Sequence, residues 1–179
     1  MVAQVIAVSS AAENSFSKVN RAEIRLIEGL GVEGDAHNGK SVQHLYLKKK
    51  NPTAPNLRQV HLMHGELFDE LTTQGFEISP GDIGENITTR GVDLLNLPTG
   101  TRLQIAATTL EVTGLRMPCK QLDDFQKGLT KAVLEKGPDG GLVIKSGVMA
   151  IVVCGGNIKP GDEIVIALPI GPHQPLSPV

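Results

Sequence analysis

Two stretches of the sequence, Leu97-Pro-Thr-Gly-Thr-Arg-Leu-Gln-Ile105 and Ile158-Lys-Pro-Gly-Asp-Glu-Ile-Val-Ile166, follow the same plan. In each, a turn that contains proline and glycine leads into a strand-like alternation of polar and apolar residues. Proline fixes its own φ and glycine accepts positive φ, so the two together favour a tight turn. Alternation with a period of two residues places the apolar side chains on one face of a strand. Such units are typical of a small closed β-barrel.

Short strands are also predicted on both sides of these turns. They are rich in β-branched residues or alternate in polarity, and they cover residues 2–8, 22–28, 43–47, 57–63, 108–113 and 147–153. The chain therefore has about eight strands, which cluster in runs instead of alternating with helices. This order argues against a doubly wound parallel sheet and predicts a mainly β protein, a closed β-barrel with a few short helices.

Two helices are predicted between the strands. The first covers residues 66–74, where apolar residues recur at helical spacing before Gly75, a residue that favours a helix end. The second has apolar residues three, four and four positions apart between residues 122 and 133. Gly128 lies inside it and weakens it by about 1 kcal/mol relative to alanine.

The length of 179 residues fits one domain, predicted over residues 1–168. Hydrophobic residues make up 40% and charged residues 20%, so the composition is that of a folded protein and not of a disordered one. Residues 169–179 form a proline-rich C-terminal tail, which we expect to be loosely held.

Composition and charge argue against several classes of partner. Five aromatic residues and a net charge of −2 supply neither stacking platforms nor a positive field, so no nucleic-acid partner is expected. No apolar run approaches the roughly 18 residues of a membrane span, and the first residues resemble a strand, not a signal peptide. Two cysteines cannot build a disulfide framework, which favours a reducing, cytoplasmic setting.

Cys119 is the first candidate for chemistry. It follows Pro118 at the predicted boundary between a strand and a helix, with Arg116 and Lys120 nearby. A helix N-terminus and neighbouring cations stabilise a thiolate, which could act as a nucleophile, a persulfide carrier or a soft metal ligand. A buried structural cysteine is the alternative. Cys154 follows three apolar residues and is expected to be structural.

A glycine-rich loop and an arginine-bearing strand are further candidates. Residues 29–39 contain four glycines together with Asp35 and His37, and such loops can direct backbone N–H groups at an anion. The loop matches no standard nucleotide motif, so a barrel loop capped by its aspartate is the alternative. Arg58 shares the apolar face of its predicted strand, where a phosphate or a carboxylate would suit it unless it reaches solvent.

Four histidines within 28 residues, His37, His44, His61 and His64, raise the possibility of a zinc site. No pair has the spacing of a structural zinc motif, so a dedicated zinc site is not expected. Asn86 and Thr88 could donate hydrogen bonds to a ligand, or they could be ordinary strand residues.

Taken together, several segments resemble the MOSC domain family, named for the C-terminal domain of molybdenum-cofactor sulfurases. These segments occur in the family's order and cover about residues 20–166. They are Gly34-Asp-Ala-His37 with Gly39, Arg58-Gln-Val-His-Leu62, Gly84-Glu-Asn-Ile-Thr88 with Gly91-Val-Asp-Leu94, Arg116-Met-Pro-Cys119, and Gly147-Val-Met-Ala150 with Gly161-Asp162. Ala36 stands where the family often has arginine. The resemblance makes residues 1–168 a single MOSC β-barrel domain of the pyruvate-kinase-barrel type.

The resemblance also implies a ligand, the pterin-based molybdenum cofactor (molybdopterin). Cys119 matches the family's cysteine, which is a molybdenum ligand in some members and is proposed to hold sulfur as a persulfide in others. The residues implied to hold the phosphate and the pterin are Asp35, His37, Arg58, Asn86, Thr88 and Arg116. Residues 41–56 resemble an insertion near the mouth of the site.

Three functions are compatible with this resemblance. The first is an oxidoreductase that reduces N-hydroxylated or other N-oxygenated small molecules, with Cys119 bound to molybdenum and an external electron donor. The second is a sulfurtransferase that receives sulfur on Cys119 from a sulfur donor protein. The third is a non-catalytic module that binds the cofactor.

Overall fold

A computed structural model describes residues 2–179 and shows a mainly β chain with a few short helices. The strands are β1 (Gln4–Ser10), β2 (Val19–Arg21), β3 (Ile24–Ile27), β4 (Gly31–Val32), β5 (Val60–His64), β6 (Ile87–Arg90), β7 (Arg102–Ile105), β8 (Thr108–Leu115), β9 (Leu134–Lys136), β10 (Leu142–Ile144), β11 (Val148–Cys154), β12 (Gly156–Ile158) and β13 (Ile164–Ala167). The helices are α1 (Leu45–Lys50), α2 (Glu66–Thr73), α3 (Gln121–Phe125) and α4 (Leu129–Ala132), with a 3-10 turn at Leu94–Asn96.

Eight strands form the main sheet, in the order β13-β7-β8-β11-β5-β6-β1-β2. Neighbours are antiparallel except β5 and β6, which run parallel. Buried and partly exposed side chains alternate along β8, as the sequence predicts. Leu110 and Val112 are buried, and Thr109 and Glu111 are partly exposed. A second sheet contains β12, β3 and β4, and β9 pairs with β10.

The predicted closed barrel is wrong, because the main sheet remains open between β1 and β13. These strands meet only where β13 begins: Gln4 and Glu163 form an isolated bridge, and the Ile164 amide donates to the Ala3 carbonyl at 2.8 Å. Beyond that point β13 pairs with β7 alone, and Val165 is 56% exposed. The strand is too short, and begins too close to its turn, to form a continuous ladder with β1.

Two apolar clusters form the core. The larger lies inside the curved sheet and includes Leu62, Ile87, Leu110 and Val148. The smaller cluster buries the inner faces of α2, α3 and α4 against the other side of β5, and it consists of Met63, Leu67, Phe68, Leu71, Ile83, Leu122, Leu129 and Val133. Strand β5 therefore separates the two clusters, since Leu62 and Met63 point in opposite directions.

The helices differ from prediction in two places. Residues 43–47 are not a strand, because the chain enters helix α1 at Leu45, and none of the residues of α1 is buried. The long helix predicted from residue 122 is divided into α3 and α4, since Gly128 adopts φ of 91° between them. Helix α2 agrees with the prediction. Within residues 2–179, no helix has the length and apolar character that crossing a bilayer requires.

The tail is held more firmly than expected. The amide of Leu115 donates to the Ser177 carbonyl at 2.9 Å, and the amide of Val179 donates to the Leu115 carbonyl at 3.2 Å. Leu176 packs against the larger core cluster. Residues 176–179 are therefore held against the domain, whereas Ile170 earlier in the tail is fully exposed.

We predict that Leu62→Ala lowers the free energy of unfolding by about 2–5 kcal/mol, because Leu62 has no exposed surface and alanine leaves a cavity. Urea denaturation followed by circular dichroism measures the change. Val165→Ala on the exposed face of β13 is the control and should change stability by no more than about 0.5 kcal/mol. Equal losses in the two variants would contradict the assignment of Leu62 to the core.

Candidate functional site

A cavity of about 330 Å³ lies at one end of the main sheet, where β8 ends and where β11 and β6 begin. Its volume is at the lower end of the roughly 300–1,000 Å³ that ligand pockets occupy. The walls come from seven parts of the chain, and the lining residues are Asn14, Ser15, Phe16, Lys18, His37, His44, Leu45, Tyr46, Arg58, His61, Gly84, Asn86, Arg116, Met117, Cys119, Gln121 and Met149. None of these residues is acidic.

Five of the seven residues selected from the sequence line this cavity, namely His37, Arg58, Asn86, Arg116 and Cys119. They are up to 82 positions apart in the chain, and the fold brings them together. The other two lie behind the wall: Asp35 and Thr88 are buried and do not line the cavity.

Cys119 reaches the cavity from the segment between β8 and α3. The thiol is half-buried and donates to Gln121 Oε1 at 3.4 Å. Helix α3 begins two residues later and has only five residues, so its dipole is small. The charge beside the sulfur comes instead from Arg116, whose guanidinium contacts it, and from Arg58.

Arg58 and Arg116 are two adjacent cations, and neither forms a salt bridge to an Asp or Glu side chain among residues 2–179. Burial, and then the charge of Arg116, lower the pKa of Arg58 to about 10. Burial also lowers the pKa of Arg116. Both remain charged at neutral pH. Arg58 donates one bond, to the Val179 backbone oxygen at 3.2 Å, so most of its donors are available to a ligand.

Asp35 connects three residues of the cavity wall from behind. Its carboxylate accepts from Lys18 Nζ at 2.9 Å, from Asn86 Nδ2 at 3.1 Å and from the His37 amide at 3.0 Å, and it lies 3.3 Å from His37 Nδ1. Burial alone would raise the pKa of Asp35, but the bonds from His37 and the charge of Lys18 lower it below the usual range. The carboxylate is therefore ionised and fixes its three neighbours.

Thr88 has a similar place behind the loop that carries Asn86. Its hydroxyl donates to Glu85 Oε1 at 3.0 Å, and the Gly81 amide donates to the same oxygen at 2.6 Å. Glu85 is fully buried, burial raises its pKa, and its Oε2 has no partner. These bonds hold the loop in place, so Thr88 supports the cavity without touching it.

Two histidines of the wall stay neutral. His61 Nε2 lies 2.8 Å from the Ser146 carbonyl, and burial, followed by the charge of Arg116, places its pKa well below the ordinary value. Burial and then Arg58 lower the pKa of His44, whose Nδ1 is buried without a partner. Among residues 2–179 no group of three or more histidine, cysteine or acidic side chains could hold a metal ion. The expectation that there is no dedicated zinc site stays a prediction.

The sequence analysis did not select Lys18, although its charge lies in the cavity wall. No local pattern in the sequence marks Lys18, because its partner Asp35 is 17 positions away.

Leu45 and Tyr46 of α1 also line the cavity and are 61% and 59% exposed. Both residues belong to the segment 41–56, which the sequence analysis interpreted as an insertion near the mouth of the site. Cys154, expected to be structural, is exposed at the end of β11, where a register shift relative to β8 turns it outward.

The polar and sulfur-containing side chains of the cavity suit an anionic ligand that also contains a soft metal or sulfur atom. Guanidinium groups bind phosphate in a bidentate manner, thiolates prefer soft metals, and the partnerless Nδ1 of His44 offers a further polar contact. The residues present therefore fit a phosphorylated ligand that binds through a metal or a sulfur atom to Cys119.

Comparisons with known proteins give a family and a fold. Residues 49–165 match the MOSC domain family. The YuaD protein from Bacillus subtilis has a similar structure, with a TM-score of 0.75 and 22% identity over 93% of this chain and 96% of that chain. YiiM from Escherichia coli gives a TM-score of 0.65 and 17% identity over 97% of this chain and 73% of that chain.

YiiM from Geobacillus stearothermophilus gives a TM-score of 0.66 and 19% identity, covering 92% of this chain and 75% of that chain. At these identities the solved structures indicate the fold alone. A search of curated proteins gave no match. Since the family match spans more than half of the sequence, this chain belongs to the MOSC domain family.

Proposed function

We propose that this MOSC protein binds the molybdenum cofactor in the cavity and reduces N-hydroxylated or other N-oxygenated small molecules. One observation carries the proposal: Cys119 shares a cavity with Arg58 and Arg116, two guanidinium groups that form no salt bridge to an Asp or Glu side chain of the described residues. MOSC domains are associated in general with binding of the molybdenum cofactor, which agrees with this donor set.

Different residues of the cavity would contact different parts of the cofactor. Arg58 and Arg116 would bind the phosphate, Asn86 would contact the polar edge of the pterin, and the sulfur of Cys119 would bind molybdenum. When bound, the cofactor supplies two-electron redox chemistry, and the protein supplies orientation and electrostatics. Electrons must come from an external donor, since the sequence contains no flavin, haem or iron–sulfur motif.

Substrate would enter past α1. Leu45, Tyr46 and Met117 are exposed, largely apolar side chains that line the same cavity as the two arginines. An entrance of this kind favours substrates with an apolar body whose polar, N-oxygenated end points inward. We also propose a cytoplasmic location, because the two cysteines are free thiols.

A sulfur carrier is the second candidate, and the contact between Arg116 and the sulfur of Cys119 favours it. A thiolate held by a guanidinium could attack the outer sulfur of a donor persulfide; the sulfur–sulfur bond of the donor would break, and the donor thiolate would leave. Cys119 would then hold the persulfide for an acceptor. A third candidate is a non-catalytic module, in which the cavity binds the cofactor and Cys119 has no chemical role.

We predict that protein purified from a host that makes the cofactor contains nearly one molybdenum per chain and releases a fluorescent pterin on denaturation. Cys119→Ser should lose most of the metal, because a hydroxyl is a poor soft ligand. Cys154→Ser, which changes the other free cysteine, should keep it. Metal analysis and pterin fluorescence measure both quantities.

The alternatives give different results in the same preparation. A sulfur carrier would lack metal and would gain the mass of one sulfur atom on Cys119 after incubation with a sulfur donor. A binding module would retain pterin in Cys119→Ser as well as in the wild type. Absence of metal, pterin and added sulfur from the wild-type protein would contradict both the reductase and the carrier.

Arg58→Ala should weaken retention of the cofactor by roughly 1.5–3 kcal/mol, the contribution of a charge-assisted hydrogen bond, or about 10- to 150-fold in affinity. Pterin content measured against time after gel filtration reports the loss. Arg25→Ala is the matched control, since Arg25 is exposed on β3 and lies outside the cavity. Equal retention in the two variants would remove Arg58 from the site.

A further inference from the structure

His37 differs from the other histidines of the cavity because a carboxylate lies behind it. Its Nδ1 is 3.3 Å from Asp35 Oδ1, and its side chain is 31% exposed where it lines the cavity. Asp35 also accepts from the His37 amide at 3.0 Å, which fixes the backbone beneath the ring. This geometry assigns the Nδ1 proton to the bond with Asp35 and leaves Nε2 free to exchange a proton with a molecule in the cavity.

The other proton-bearing groups of the wall are committed elsewhere. Lys18 is bound to Asp35 through Nζ, His61 bonds to Ser146, and the pKa of His44 is lowered by its burial and by the cations around it. Arg58 and Arg116 do not release protons near neutral pH. His37 is therefore the histidine of the described wall that combines access to the cavity with a carboxylate behind its ring.

We propose that His37 delivers a proton to the substrate during reduction, with Asp35 as the positioning residue that orients its ring. This inference rests on the proposed reductase function. Reduction of R₂N–OH breaks the nitrogen–oxygen bond, consumes two electrons and two protons, and gives R₂NH and water. The electrons come from an external reduced donor through the bound cofactor, one proton comes from His37 Nε2, and solvent supplies the other and reprotonates His37.

Asp35 is itself held in place behind the His37 ring. Its carboxylate is paired with Lys18 Nζ at 2.9 Å, and Arg58 and Arg116 line the same cavity as the ring. Asn86 holds the second oxygen of Asp35 at 3.1 Å, so the carboxylate cannot turn away from the ring.

The first test needs no turnover. Long-range proton–nitrogen NMR of the histidine rings in the purified protein should show His37 with its proton on Nδ1 and with Nε2 unprotonated when the ring is neutral. Asp35→Asn should lose this preference while circular dichroism remains that of a folded chain. A neutral His37 ring that carries its proton on Nε2 in the wild-type protein would overturn the proposal.

The second test uses protein loaded with cofactor, reduced methyl viologen as the electron source and benzamidoxime as the N-hydroxylated probe. His37→Gln should lower turnover by about 100-fold or more, the usual contribution of a proton-transferring side chain, with molybdenum and pterin content unchanged. Imidazole added to His37→Ala should restore part of the rate.

His173→Gln is the control, because His173 is exposed in the tail and outside the cavity; it should match the wild type. Wild-type turnover in a fully loaded His37→Gln would overturn the inference and leave the reductase intact. Loss of cofactor from His37→Gln would also overturn it, since His37 would then be a cofactor contact. A loaded wild-type protein that does not reduce the probe would count against the reductase and against this role together.

Discussion

The cavity depends on one buried carboxylate. Asp35 receives hydrogen bonds or charge from Lys18, His37 and Asn86, which come from three separate parts of the chain and all line the cavity. Removing one partner of a buried ion pair typically costs about 3–5 kcal/mol, because the remaining charge has no counterpart. From behind the wall, the same carboxylate thus keeps a lysine, an imidazole and an amide in place, and none of the lining residues is acidic. An anionic ligand is compatible with this arrangement, because Asp35 lies behind its three neighbours and does not face the cavity.

The order of the strands explains why the candidate functional residues lie together at one end of the main sheet. Strand β5 lies between β11 and β6 in the main sheet, so residues from the start of both strands lie beside His61. Arg116 follows β8, and its amide bonds to the Gly147 carbonyl at 3.0 Å just before β11. Gly147 is required there, since a Cβ would come within 2.8 Å of His61 Nε2 and its φ is 86°. The sheet brings Arg116 and His61 together, although 55 positions separate them in the chain.

The sequence predicted well the features that depend on local pattern. The strands after the two proline–glycine turns, helix α2 and the short spacing from Arg116 to Cys119 are local, and the structure contains them. It could not show that Thr88 points away from the cavity, because every residue from Ile87 to Thr89 is buried and no alternation distinguishes the faces. Closure of the sheet and the pairing of Lys18 with Asp35 are long-range properties. They depend on where distant segments meet.

The end of the tail has a practical consequence. Val179 pairs with Leu115 and accepts a hydrogen bond from Arg58, so anything appended after it would start at the rim of the binding cavity. An affinity tag placed there would compete for Arg58 and would add its own polar groups at the cavity rim. Val2, at the opposite terminus, is 62% exposed and offers an attachment point outside the cavity lining. Purification handles and fluorescent labels therefore belong on the amino-terminal side.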